Sequence, residues 1–317
     1  MAGPVLTQLD GGVVRVTLAL PWALDHVHCY ALEGPGGWTV VDAGLGDLAT
    51  IDAWGEAVPQ LGPVERVVIT HYHPDHLGAA ADLVRMTGAR EVVQGSLDAR
   101  LSAATWGVEA SLEEFRAYLE LHGMPADMAV RSTAAESRLP IHPPTPTHLV
   151  DPGDVLELGG ERWAVHLLPG HADGHIVLHG QGSGRLLGGD VLLAEITPNV
   201  GRWPDTAADP LGRYLASLDA LDRLAPALVL PGHGPPIEDA ARRTAELRAH
   251  HSERLDVHLA ALQAGAATAY EVSQRVWADD GLGFHEQRFA LVESLSHLER
   301  LAAEGRAQCV APGRWRP

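Results

Sequence analysis

Three imidazoles and a carboxylate fall within six positions in the segment Thr70-His71-Tyr72-His73-Pro74-Asp75-His76-Leu77-Gly78, directly after the apolar run Val67-Val68-Ile69. Histidine offers a neutral nitrogen ligand and aspartate a hard oxygen, a mixture that suits zinc and other borderline divalent metals. A lone histidine is usually a packing residue. Three beside an aspartate in one turn are a metal site in search of its remaining ligands.

The elements that must position these groups are legible around them. Val67 to Ile69 reads as a strand running through the core and ending at Thr70, so the histidines lie on the loop beyond it. Pro74 and Gly78 are the residues that let that loop turn sharply. The same design recurs at long range. Leu167-Leu168-Pro169-Gly170-His171 is an apolar strand closed by a Pro-Gly turn and a histidine. Arg185-Leu186-Leu187-Gly188-Gly189-Asp190 ends in a glycine pair and an aspartate. Leu228-Val229-Leu230-Pro231-Gly232-His233-Gly234 repeats the strand, Pro-Gly and histidine. Glycine beside each polar residue allows close approach of the backbone.

In this order the motifs HxHxDH, PGHxxGH, GGD and PGHG resemble the metallo-β-lactamase fold superfamily, over roughly residues 12 to 240. The resemblance implies an α/β fold, an αββα sandwich, with two divalent metal ions per chain. Zinc is the first choice for both, with iron or manganese as alternatives. One ion would be bound by His71, His73 and His171, and a second by Asp75, His76 and His233, with Asp190 bridging them. Asp75 and Asp190 would also be the catalytic carboxylates. Trp38 to Gly44 resembles the family's strand with a following Asp-Ala-Gly, whose aspartate, here Asp42, supports a ligand histidine from behind. His175 is expected to be a structural or supporting residue. Ala172 stands where many relatives carry threonine, which removes a hydroxyl next to the third histidine.

Further short apolar strands are predicted at Val13 to Leu18, His28 to Leu32, Trp38 to Val41, Glu91 to Gln94, Val155 to Leu158, Trp163 to Leu168 and His175 to His179. Helical patterns are predicted over Leu48 to Val58 and His76 to Thr87. Residues 1–240 are read as the catalytic domain, with a helical lid insertion over about 97–147. Within the insertion Leu112 to Leu119 has helical spacing, and His122-Gly123-Met124-Pro125 stops it. Trp106, Phe115, Tyr118 and Met124 are the candidate pocket walls. His142 and His148 are not expected to be ligands, because the ligand set is complete without them.

Residues 241–317 are read as a separate C-terminal domain. Asp239 to Leu262 is a long helical pattern, and Thr268 with Glu271 forms a capping box. His285 to Ala303 is a further helix, closed by Gly305, and Gln308 to Gly313 reads as a hairpin. Helix, helix and hairpin resemble the winged-helix tail of a subgroup that includes the endoribonuclease "lactamase β-like 2". Its Arg306, Arg314 and Arg316 are the candidate phosphate contacts. The alternative is a tail that packs against the core or forms a homodimer.

Composition narrows the partners. The chain has 317 residues and is 46% hydrophobic, enough for a large core. Its formal net charge of −18 disfavours a nucleic acid, which is bound largely by neutralising phosphates. No segment reaches the ~20 apolar residues of a membrane span. Met1 to Asp10 lacks a secretory pattern. Cys29 and Cys309 are too far apart in sequence for a zinc-finger spacing, and both suit a reducing cytoplasm. No Ser-His-Asp triad is needed for such chemistry, and no Gly-rich phosphate loop is apparent.

The expected function is therefore a cytoplasmic binuclear metal-dependent hydrolase, directing a metal-bridging hydroxide at a small ester, thioester or lactone. The alternative is a metal-dependent endoribonuclease acting on single-stranded RNA.

Overall fold

The structure, a computed structural model of the chain, describes residues 3–107, 112–136, 139, 141, 143–278 and 281–317. His142 lies outside the described residues. The chain divides into two compact units. The first comprises residues 1–110, 139–198 and 221–241, and the second 111–138, 199–220 and 242–317.

The first unit is built on two sheets. Seven strands lie side by side in chain order: β1 (Val5–Leu9), β2 (Val13–Ala19), β3 (His26–Gly34), β4 (Gly37–Val41), β5 (Val64–Ile69), β6 (Glu91–Gly95) and β7 (His148–Val150). β1 to β4 pair antiparallel, and β4 to β7 pair parallel. The parallel half needs crossovers, supplied by α1 (Leu48–Leu61), α3 (Ala80–Thr87) and α4 (Ser96–Trp106), with a single turn α2 (Pro74–Leu77) between. The second sheet holds β8 (Val155–Leu158), β9 (Glu161–Leu167), β10 (Ile176–Gly180), β11 (Arg185–Gly189) and β12 (Leu228–Pro231), in the order β12-β11-β10-β9-β8.

Strand alternation sorts the core into two layers. Val14, Val16 and Leu18 of β2, with Val27, Cys29 and Ala31 of β3, face Trp54, Ala57 and Leu83 of the helices. Val13, Tyr30, Val41 and Val68 face the other way, onto Leu156, Trp163, Val165, Leu178 and Leu230 of the second sheet.

The pattern over His76 to Thr87 does not form one helix. It breaks at Gly78, where an added Cβ would lie 2.5 Å from the Gly46 amide nitrogen and 2.4 Å from the Pro74 carbonyl oxygen. Ala79 N–H donates to Gly44 O at 2.9 Å and Ala43 N–H to His76 O at 2.8 Å, so two turns are stitched together there.

The second unit contains α5 (Leu112–Leu121), α6 (Ala126–Glu136), most of α7 (Pro210–Leu224), α8 (Ala240–Gln263), α9 (Ala269–Val276), α10 (Phe284–Ala303) and the hairpin β13 (Gln308–Ala311) and β14 (Arg314–Arg316). The capping box on α9 is present on both sides, Thr268 to the Glu271 amide and Glu271 back to Thr268. Among the described residues no helix is long and apolar enough to cross a membrane.

Trp54 ties the helix layer to the site. It is fully buried, and its indole N–H donates to Ala43 O at 2.7 Å, one residue past Asp42. Trp54→Ala is expected to destabilise the chain by about 3–5 kcal/mol, read as a lower urea midpoint of the metal-free protein.

Candidate metal centre

Every side chain picked out by type and spacing lies just beyond a strand end of the first unit. His71 and His73 follow β5. His73 is extended ahead of Pro74, and Pro74 starts the short α2 turn that carries Asp75 and His76. Gly170, with φ 129°, turns the chain from β9 into His171. Asp190 follows β11 and His233 follows β12. The glycines here are required by contact. A Cβ on Gly232 would sit 2.4 Å from Asp190 Oδ1 and 2.7 Å from His76 Cε1, and one on Gly189 2.7 Å from His175 Nε2.

The seven side chains converge. Ligand atoms of His71, His73 and His171 lie within 4.8 Å of one another, as do those of His71, His76 and Asp190, and those of Asp75, His76 and His233. Asp190 stands between the groups: its Oδ1 is 3.4 Å from His76 Nε2, and its Oδ2 is 3.6 Å from His171 Nε2 and 3.2 Å from His233 Nε2. Asp75 Oδ2 lies 3.3 Å from His233 Nε2. His73 is half-buried and the other six are buried.

Hydrogen bonds to the far nitrogens fix the imidazoles. His76 Nδ1 donates to Asp42 Oδ2 at 2.8 Å and His233 Nδ1 to His26 O at 2.7 Å. The Thr70 hydroxyl donates to Asp42 at 2.8 Å, so its oxygen accepts from His71 Nδ1 at 3.0 Å. All three rings thereby turn Nε2 inward. Asp42 also accepts the Thr70 N–H at 2.8 Å, and it holds a left-handed backbone, φ 61°, a conformation retained only where the surroundings enforce it.

The electrostatics follow from burial and two close carboxylates. Burial pushes the His71 imidazole well below its usual range and His73 to about 3. Burial acts the same way on His76, but Asp190, Asp42 and Asp75 outweigh it and hold that ring well above its ordinary value. His233, also opposed by burial, is raised to about 10 by Asp190 and Asp75. Burial would raise Asp75, yet His76 and His233 hold it at about 2. Asp75 and Asp190 are therefore anions that require adjacent positive charge.

These residues fit a divalent metal. His76 Nε2, His233 Nε2 and Asp190 Oδ1 are buried without a hydrogen-bond partner, a costly arrangement unless a cation satisfies them. The donor set of imidazole nitrogen and carboxylate oxygen suits zinc-like ions.

His175 is fully buried and accepts the Asp190 N–H on Nε2 at 3.1 Å, which steadies Asp190 from behind. His148 pairs with Glu91 at 2.7 Å on the surface. Trp106 donates its indole N–H to Tyr72 O at 2.8 Å, on the loop that carries His71 and His73. Phe115, Tyr118 and Met124 belong to the second unit. Phe115 packs on Trp203 at 6.0 Å between centroids, and Tyr118 donates to Arg202 O at 2.6 Å.

Sequence reasoning missed Asp98. It is fully buried, accepts Tyr72 N–H at 3.0 Å and Gln94 Nε2–H at 2.7 Å, and packs so tightly on Gly174 that a Cβ there would lie 2.5 Å from Asp98 Cα. The carboxyl thus braces the His71–His73 loop, while the backbone of the same residue packs against the His171–His175 loop. The available signal was the strand, Gly and Asp order of Gln94-Gly95-Ser96-Leu97-Asp98, a looser form of the Gly-Gly-Asp design.

Comparison with known proteins identifies the family. Residues 22–233 match the metallo-beta-lactamase superfamily model. A solved metallo-beta-lactamase family protein from Thermus thermophilus superposes with a TM-score of 0.86 at 34% identity, over 98% of this chain and 99% of that one. The "Probable metallo-hydrolase YqjP" of Bacillus subtilis (strain 168) is 29% identical over 308 residues, 92% of each chain. A "Hydroxyacylglutathione hydrolase" of Cereibacter sphaeroides (strain ATCC 17029 / ATH 2.4.9) is 27% identical over 214 residues, 64% of this chain and 63% of that protein. The chain belongs to the metallo-beta-lactamase superfamily.

Two substitutions test the supporting groups. Asn tolerates a left-handed backbone, so Asp42→Asn is expected to keep the fold while weakening metal affinity by roughly 10–100-fold, measured by chelator competition. Burial raises the Asp98 carboxyl to about 8 from an ordinary 3.8. Its neutral form is favoured in the folded state, so its contribution to stability is full below 3.8 and is lost as pH rises to about 8. Asp98→Asn has no such loss. Its urea midpoint, relative to the parent chain, is expected to rise between pH 5 and pH 8.

Proposed function

We propose that this hydrolase cleaves small esters, thioesters or lactones with two divalent ions, zinc first. His71, His73 and His171 would hold one, Asp75, His76 and His233 the other, and Asp190 would touch both. The observation that carries the reading is the position of Asp190, whose two oxygens face His76 on one side and His171 and His233 on the other. The thioester class is supported by the hydroxyacylglutathione hydrolase relative.

Bound divalent ions supply Lewis acidity toward a substrate oxygen and lower the pKa of water to about 7. The protein's own groups do the rest. His76 and His233 keep their Nε2 atoms directed inward through Asp42 and His26 O. Asp190 is held by His175 at its amide, which steadies the backbone from which its carboxylate projects. Asp75 stays ionised at neutral pH and can accept a proton on its carboxylate oxygen.

A second reading, an endoribonuclease, is prompted by the order α9, α10 and hairpin. Its candidate phosphate contacts are largely engaged already: Arg306 pairs with Asp256 and Glu304, and Arg316 donates to Gln308 at 2.7 Å.

Elemental analysis after mild dialysis is expected to give about two metal equivalents, one per ligand group; saturation at one under excess zinc would reject the binuclear site. Asp190→Asn removes a shared charge at nearly constant shape. It should lower turnover of a thioester or lactone by orders of magnitude and leave the metal-free melting temperature almost unchanged. Zinc-loaded and chelated samples should be compared on thioesters, lactones and single-stranded RNA. RNA cleavage lost on joint substitution of Arg306, Arg314 and Arg316 would favour the nuclease.

A further inference from the structure

The turn Pro231-Gly232-His233-Gly234 is gripped by alternate residues of β3. Tyr30 Oη donates to Pro231 O at 2.7 Å, and His28 N–H donates to Gly232 O at 2.7 Å. His26 O accepts from His233 Nδ1 at 2.7 Å, while His26 Nε2 accepts the Gly234 N–H at 3.0 Å. The remaining contact is His28 Nε2 to Gly234 O, 3.0 Å.

That last contact assigns a tautomer. A carbonyl oxygen can only accept, so His28 Nε2 must carry the proton. Burial, with Arg15 nearby, pushes this imidazole to about 3, which keeps it neutral and leaves Nδ1 a bare acceptor. The Thr17 hydroxyl, 3.0 Å away across the β2–β3 pair, donates to it. A directed chain therefore runs from Thr17 through His28 to Gly234 O.

Gly234 has φ 74° and lacks the side chain that would limit its backbone. Pro235 follows it and brings no amide hydrogen. The orientation of the Gly234 carbonyl thus depends on His28.

We propose that His28, held by Thr17 in its Nε2–H form, is a positioning residue that sets the rotation of the Gly232–Gly234 turn and with it the direction of the His233 imidazole. The proposal rests on the metal reading above. His28 contacts no substrate or reacting atom and acts only through His233. It therefore bears on the ion assigned to Asp75, His76 and His233, and spares the one assigned to His71, His73 and His171.

The test uses the full chain, with zinc titrated against a chromophoric chelator. Parent, His28→Ala, His28→Gln and Thr17→Val are compared, and the histidine tautomers are read from imidazole nitrogen chemical shifts of the metal-free proteins. In His28→Ala one zinc equivalent should weaken by about 10–100-fold while the other is held. Glutamine places an amide N–H near the lost donor and should restore most of that affinity. Thr17→Val leaves the Gly234 carbonyl to hold the Nε2–H tautomer but removes the bond that fixes the ring from its other side, and should give an intermediate loss. Unchanged affinity for both equivalents in His28→Ala, or equal loss of both that glutamine does not restore, would overturn the proposal. If the alanine variant does not fold, parent-like affinity for both equivalents in Thr17→Val does the same. A parent chain that takes up no zinc would instead refute the metal reading, and an Nδ1–H tautomer of His28 in the parent would still refute the Thr17–His28–Gly234 chain.

Discussion

Two carboxylates and a group of imidazoles are buried together at one edge of a sandwich, and that concentration of polarity is the constraint on which the rest of the structure turns. Asp75 and Asp190 remain anionic in a setting that otherwise disfavours charge. Burying them is tolerable only with positive charge held among them. In the metal-free chain that charge is a proton on His76 and His233, both raised by these same carboxylates. A divalent ion that displaces the protons meets the same need with ligands that are all neutral or anionic, so metal binding and proton release are coupled.

The chain carries 18 histidines, and the second unit shows how the same residue type serves packing instead. His258 and His297 stack with centroids 4.3 Å apart and planes 6° from parallel. Each donates Nδ1–H to a carbonyl four residues back on its own helix, Arg254 O at 2.7 Å and Glu293 O at 2.8 Å. Their Nε2 atoms meet no ring of carboxylates, and among the described residues every group able to hold a metal lies in the first unit. What separates ligand from packing histidine is where the second nitrogen goes.

Much of this was legible in the sequence because strand ends advertise themselves. An apolar run closed by Pro-Gly or Gly-Gly and a ligand residue needs no tertiary knowledge to read, and β5, β9, β11 and β12 end beside the residues expected of them. The unread parts depend on contacts between distant segments. The break after Gly78 lies where that residue packs against Leu45 and Gly46, a contact that no helical periodicity records. The edge strand β1, with its exposed Val5, has no apolar face strong enough to announce it. Asp98 and His28 look like polar residues beside apolar strands until the loops they brace are in place. The C-terminal helices and hairpin were readable from capping and glycine signals, although those signals describe elements and not a nucleic-acid surface.

The division of the proposed ligands has a thermodynamic consequence. His71, His73, Asp75 and His76 extend from the first sheet, whereas His171, Asp190 and His233 extend from the second. The two sheets already share backbone bonds at this edge, Ile176 N–H to Thr70 O at 2.9 Å and His28 N–H to Gly232 O at 2.7 Å. An ion bound by residues of both sheets adds a further link that exists only when they are packed together. Binding to the folded chain alone contributes about 4 kcal/mol at a thousandfold excess over Kd. That contribution would act on the closing of the sandwich itself. With the proposed ions bound, the support chains through Asp42, His175 and His26 would serve stability and chemistry by one geometry, since any shift that spoils the directions of these side chains would also loosen the link between the sheets.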